Sequence, residues 1–285
     1  MREGDRILRA PGGGPIRGGP DRGAGRARGA RHDPRRKNLG AAVSGLRDKL
    51  IVALDRPDLA SAMAQVDRIG DAVAWYKVGL ELFYAAGRPS IQALADRGKR
   101  VFLDLKLHDI PATVGKAIGA LQGLPISLLN VHAAGGPAML RSAVEAARTL
   151  EKRPRVLGVT MLTSLDGSEL PTLWNPTTDL ESKVLALARV CREAGCDGVI
   201  ASPLELLPLR REHAPPFVIL TPGIRGPEDR AQDQKRTLSL PEAIARGADY
   251  VVVGRPISEA SDPRAVVAAY EASLASHRSS ERTQA

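Results

Sequence analysis

The chain has 285 residues and a formal charge of +9, from 41 Lys and Arg against 32 Asp and Glu. Residues 1–40 hold ten Arg and one Lys against four acidic residues, so +7 of that charge lies in this segment and only +2 in the other 245 residues. A nearly neutral body in a chain that is 43% hydrophobic excludes nucleic-acid binding spread over the whole protein, and apolar runs of a few residues exclude a membrane-spanning helix.

Residues 1–45 read as a disordered tail, because Arg, Gly and Pro dominate and the few apolar side chains cannot build a core. The segment lacks the apolar stretch of a signal peptide. A start at an alternative codon near Val43 or Leu46 would omit it. Its Arg-Gly pattern loosely resembles RNA-binding segments, but residues 1–40 contain no aromatic side chain to stack a base. Weak, salt-sensitive binding is expected, and no specific nucleic-acid partner.

From residue 46 onward, apolar runs alternate with amphipathic stretches. The runs are Lys49–Asp55, Ala74–Leu82, Val101–Leu107, Ser127–His132, Arg155–Leu162, Gly198–Ser202, Phe217–Thr221 and Tyr250–Gly254. Each is rich in Val, Ile and Leu on both faces, as in strands of a parallel sheet covered on both sides. Leu59, Met63, Val66 and Ile69 recur at helical spacing, as do Val184, Leu187, Val190 and Cys191. Asp262 is placed to cap a last helix with Pro263 at its first position, followed by Val266, Val267, Tyr270 and Leu274. Eight strands alternating with helices predict an α/β chain folded as a single (β/α)8 TIM barrel over residues 46–278, with a disordered C-terminus over 279–285. An open doubly wound sheet is the main rival, but neither GxGxxG nor GxxxxGK[ST] is present. Cys191 and Cys196 form no disulfide framework or zinc pattern and read as two reduced thiols of a cytoplasmic protein.

Barrel chemistry collects at the C-terminal ends of the strands. Asp55 closes the first run. Lys77 lies in the second, with Glu81 four residues later. Asp104 and Lys106 end the third, and Asp109 follows. Two residues apart on a strand, Asp104 and Lys106 are expected on one face. A structural ion pair is the alternative for any one of these groups. Clustering at one barrel end points instead to an active site. His108 and His132 are placed only as rim histidines. No residues are spaced to hold a metal, and no G-x-S-x-G elbow is present. Asp and Lys alone suggest proton transfer or carbanion stabilisation. Gly254 and Arg255 after the last run suit phosphate, and the polar stretch between Arg225 and Leu240 suits a mobile lid or a plain surface loop.

The segment Asp104-Leu-Lys106-Leu-His-Asp109-Ile-Pro-Ala-Thr113 resembles the D-x-K-x-x-D signature of the orotidine 5'-phosphate decarboxylase family, of the bacterial short-chain type. Further segments are similar to that family in the same order: Leu50–Asp55, Tyr76–Phe83, Val159–Ser164, Leu220–Arg225, Asp233–Arg236 and Val253–Ile257. The resemblance implies decarboxylation of orotidine 5'-monophosphate to UMP without a metal or organic cofactor. It implies Lys106 as proton donor to C6, Asp104 beside the substrate carboxylate, and Asp55 and Lys77 on the ribose. Thr163 would meet the pyrimidine edge. Arg225, Gln234, Gly254 and Arg255 would bind phosphate, Gln234 from the lid. Asp109 and Thr113 would reach the neighbouring subunit's site in a homodimer. A related sugar-phosphate barrel lyase of the hexulose-6-phosphate synthase kind is the nearest alternative, because such enzymes share D-x-K-x-x-D.

Overall fold

The computed structural model describes residues 45–165, 179–225 and 237–284. Eight parallel strands close into a barrel: β1 Leu50–Ala53, β2 Trp75–Val78, β3 Arg100–Leu107, β4 Ile126–His132, β5 Arg155–Val159, β6 Gly198–Ile200, β7 Val218–Thr221 and β10 Tyr250–Val253. Each pairs with its neighbour in chain order, and β10 returns to β1 with Leu50 opposite Val251. Two short strands, β8 Ile224–Arg225 and β9 Leu238–Ser239, form a separate parallel ladder above the end of β7.

Alternation along each strand divides the core into two shells. Ile51, Ala53, Phe102, Leu128, Leu157, Ile200, Leu220 and Val252 fill the barrel interior. Leu50, Val52, Tyr76, Val101, Leu103 and Leu129 face the surrounding helices. With both faces covered, the strands read as continuous apolar runs. At the N-terminal end, Trp75 and Tyr250 meet edge to face with centroids 5.2 Å apart, and Arg100 lies 5.3 Å over the Trp75 ring.

The helices begin where side chains satisfy their first N–H groups. Asp58 accepts from Ser61 N at 2.8 Å ahead of helix Leu59–Ile69, and Asp179 accepts from Ser182 N at 2.9 Å ahead of helix Leu180–Glu193. Ser239 and Glu242 form a reciprocal capping box. Asp262 accepts from Arg264 N and Ala265 N at 3.0 and 3.1 Å, the capping role its place before Pro263 predicts.

Several boundaries differ from the sequence reading. The second run ends at Val78, not Leu82, because Gly79 caps a helix over Leu80–Ala86 that carries Glu81 to the exposed surface. The fifth strand stops at Val159. The last helix spans Pro263–Gln284, past the expected end at 278 and through most of the stretch expected to be disordered. After Pro263 that stretch holds no Gly or Pro to break the helix, and Ser276 and Ser279 bond back to the carbonyls of Ala272 and Ala275. The tail expected over 1–45 lies outside the described residues up to 44. Cys191 and Cys196 are buried, free thiols.

β6 and β7 approach so closely that a Cβ on Gly198 would collide with the Val218 carbonyl and stand 2.6 Å from the Val218 Cβ. Backbone cannot move aside as a flexible side chain can. Gly198→Ala should therefore cost about 1–3 kcal/mol in urea unfolding, more than the ~1 kcal/mol expected for the cap variant Asp58→Ala.

Candidate active site

The C-terminal ends of the strands surround a cavity of about 430 Å³. Its floor is apolar, from Ala53, Phe102, Ile200, Leu220 and Val252, and its wall carries Asp55, Lys77, Asp104, Lys106 and Thr163. Gly254, Arg255 and Glu259, which follow β10 next to β1, also line it, with Pro222, Gly223 and Ile224 from the turn after β7.

Four charges alternate in sign along one wall. Lys77 Nζ lies 2.9 Å from Asp55 Oδ1 and 3.5 Å from Asp104 Oδ2, and Lys106 Nζ lies 2.7 Å from Asp104 Oδ1. Asp104 is only 8% exposed. Burial would raise its pKa, but the Lys77 and Lys106 charges and the hydrogen bonds from Lys106 and Asn130 outweigh it and hold the carboxyl below its usual range. It is therefore ionised at neutral pH while nearly dry.

Local structure places each member. Lys77 is in β2, and the turn at Gly79 leaves room for it. A Cβ there would stand 2.7 Å from Lys77 Nζ and 3.0 Å from Asp55 Oδ1. Asp104 and Lys106 share the pocket wall, but not through regular strand alternation. The β3–β4 register shifts between Leu103 and Leu107, and among the described residues Lys106 is the one non-glycine with positive φ, at 49°. Asn130, in β4, donates to Asp104 Oδ1 at 2.7 Å and accepts from Lys106 N at 2.8 Å.

Arg255 opens a short helical turn, Arg255–Ser258, after Gly254. Arg56, which follows Asp55, ties that turn to the first loop. Its Nη2 donates to Ser258 O at 2.5 Å and its Nε to Gln65 Oε1 at 2.8 Å. Arg225 lies in β8, and nothing of its side chain is described. Gln234 and residues 226–236 of the expected lid between Arg225 and Leu240 lie outside the described residues; its last residues, Leu238–Ser239, form β9.

Asp109 and Thr113 are exposed and do not line the cavity of their own chain. Asp109 Oδ1 accepts from Ile110 N at 2.6 Å, and the Ile110 side chain is 66% exposed. His108 is exposed and lies ring to ring with His132 at 5.2 Å. Burial, then the neighbouring His108 and Lys106, push the His132 pKa down, so its ring is neutral at neutral pH. Four residues at the site escape the sequence reading: Gly79, Arg56, Glu259 and Asn130. Only Asn130 leaves a signal, as the lone amide in the apolar β4 segment Ile-Ser-Leu-Leu-Asn-Val-His.

Residues 48–270 match the orotidine 5'-phosphate decarboxylase / HUMPS family. The chain is 46% identical over 233 residues to the orotidine 5'-phosphate decarboxylase of Moorella thermoacetica, covering 80% of this chain and 92% of that protein. It is 45% identical over 234 residues to that of Rhodopseudomonas palustris, covering 82% and 97%. The crystal structure of orotidine 5'-phosphate decarboxylase from Lactobacillus acidophilus superposes with a TM-score of 0.70 at 37% identity, over 79% of this chain and 98% of that one.

Because the Asp104 pKa is lower folded than unfolded, the unfolded chain takes up its proton first as pH falls. The stability this contributes is present at neutral pH and is lost as pH drops through the folded value. Asp104→Asn should be less stable than wild type near neutrality, and should lose less stability than wild type between about pH 5 and about pH 3. Urea titrations at several pH values measure both; parallel profiles would refute the assignment.

Proposed function

Because the chain belongs to the orotidine 5'-phosphate decarboxylase / HUMPS family, it is a carboxy-lyase that converts orotidine 5'-monophosphate to UMP and CO₂ in pyrimidine biosynthesis, and we propose that Lys106 is the proton donor. The observation that carries this role is the run of alternating charges Asp55, Lys77, Asp104 and Lys106 along the wall of an apolar-floored cavity.

The chemistry follows from where charge develops. Heterolysis of the bond between C6 and the carboxyl carbon releases neutral CO₂ and leaves the electron pair on C6. The Lys106 ammonium stabilises that charge as it forms and then transfers a proton to C6, giving the C–H bond of UMP. Asp104 is already held by its neighbours, so the ammonium is fixed before the reaction and no solvent has to reorganise. Its carboxylate stands beside the substrate carboxylate, and the repulsion between them ends as CO₂ departs. No metal or organic cofactor is assigned a step.

Asp55 and Lys77, next to one another and to Asp104, suit the ribose hydroxyls. Thr163 on the cavity wall suits the pyrimidine edge. After β10, the backbone N–H groups at Gly254 and the guanidinium of Arg255 suit phosphate, joined by Arg225 and by Gln234 from a closing lid. Phosphate binding remote from C6 can then drive closure over the reacting centre. Asp109 and Thr113 lie outside their own cavity beside exposed Ile110, and this supports their reaching a second subunit's site in a homodimer. The proposed domain is the barrel from residue 46 onward, preceded by a tail without a part in the chemistry. No described helix is long and apolar enough to cross a membrane, and free buried thiols fit a cytoplasmic enzyme.

Purified protein should consume orotidine 5'-monophosphate in an ultraviolet assay. Lys106→Ala should lower turnover at least about a thousandfold while UMP binding stays measurable. A variant retaining about a tenth of the activity would remove Lys106 from the donor role.

If sites are shared, Lys106→Ala and Asp109→Asn chains should complement one another. After random exchange at equal amounts, each mixed dimer has one intact site, so about a quarter of wild-type activity should return. Mixtures no more active than their components would refute the shared site.

A further inference from the structure

Asn130 is 1% exposed and lies on β4 with both polar atoms of its side chain turned to the charged wall. In the β3–β4 ladder Leu103 faces Leu129 and Leu107 faces Val131. Asp104, Leu105 and Lys106 therefore stand opposite Asn130 alone. Such a bulge interrupts the ladder and leaves backbone groups of the longer strand without strand partners. The Asn130 carbonyl takes one of them, the Lys106 N–H at 2.8 Å. Its amide N–H donates to Asp104 Oδ1 at 2.7 Å, the same oxygen that Lys106 Nζ contacts at 2.7 Å.

These partners define the amide's orientation. A backbone N–H only donates and an ionised carboxylate only accepts, so the bridging side chain must present one acceptor and one donor. Ionised Asp has no donor and Leu has neither group. The bridge also spans a strained residue. Lys106 holds φ at 49°, a left-handed conformation that an L side chain keeps only where the surrounding structure supports it. A change of φ at Lys106 would re-aim its Cα–Cβ bond and so move the ammonium relative to Asp104.

We propose that Asn130 is a positioning residue that holds Lys106 in its left-handed conformation and locks the Asp104 carboxylate onto the Lys106 ammonium. This rests on the reading of Lys106 as proton donor. Asn130 acts through two groups and does not line the cavity itself.

The test measures kcat on orotidine 5'-monophosphate and calorimetric Kd for UMP in wild type, Asn130→Ala and Asn130→Asp. Asn130→Ala should lose about a hundredfold in kcat, the scale of an ångström-sized misplacement. UMP affinity should stay within about threefold, because Asp55 and Arg255 do not depend on the bridge. Asn130→Asp places two carboxylates where one hydrogen bond was, and they must share a proton. Its kcat should be depressed near pH 8 and should recover at least about threefold relative to wild type near pH 5.5, where a protonated Asp at 130 again donates. Should Asn130→Ala fail to fold, this pH limb decides alone. An Asn130→Ala kcat within about twofold of wild type, a loss of UMP affinity as large as the loss of kcat, or a flat Asn130→Asp profile would each overturn the inference. Wild type inactive on orotidine 5'-monophosphate would overturn the functional reading and this inference with it, whereas active wild type with an equally active Asn130→Ala would overturn the inference alone.

Discussion

An ionised carboxylate with little access to water has to be compensated on every side, and Asp104 is that group here. Leaving such a charge unpaired costs several kcal/mol, so the surrounding structure is arranged around it. Lys77 comes from β2, Lys106 from the bulge in β3, and Asn130 from β4. Asp55, at the end of β1, balances the remaining charge of Lys77. Four adjacent strands thus each supply one part, because the parallel barrel brings their C-terminal ends to one rim. Gly79 belongs to the same constraint, because any larger residue would displace the ammonium that faces Asp104.

The two ends of the barrel use the same residue types differently. At the N-terminal end, Asp197 accepts from Val156 N and Arg153, and Asp249 accepts from Ile219 N and Arg210. Each carboxylate there bonds the backbone of a neighbouring strand and is neutralised by one arginine. These charges fasten strand to strand and do not line the active-site cavity. At the C-terminal end, the carboxylates bond ammoniums and an amide, and the groups line an open cavity. An Asp beside a strand therefore carries no function by its type. Its role follows from which end it occupies and whether its partners include the backbone of a neighbouring strand or only side chains around the cavity.

Much of this was legible in the chain. Eight apolar runs with helical periods between them read directly as strands buried on both faces, because burial on both faces erases polar alternation. The ordered motifs from Asp55 to Arg255 marked one rim, since charges that interrupt such runs have to meet one another. Less legible were the boundaries. The second run reads as strand through Leu82 because its residues are apolar, yet Gly79 turns the chain and starts a helix at Leu80. The last helix continues to Gln284 because polar residues that cannot build a core can still extend a helix already anchored by Tyr270 and Leu274.

By itself, the sequence determined the fold class, the family and the identity of the charged groups, because periodicity and ordered motifs are local properties of the chain. It also showed that the basic charge belongs to the first forty residues and not to the rim. Tertiary structure alone decided how those groups are held. The left-handed Lys106, the bulge opposite Asn130 and the space above Gly79 depend on the register between strands, and register is set by packing among residues far apart in the chain. The partners of a buried charge are therefore visible only once the barrel has closed.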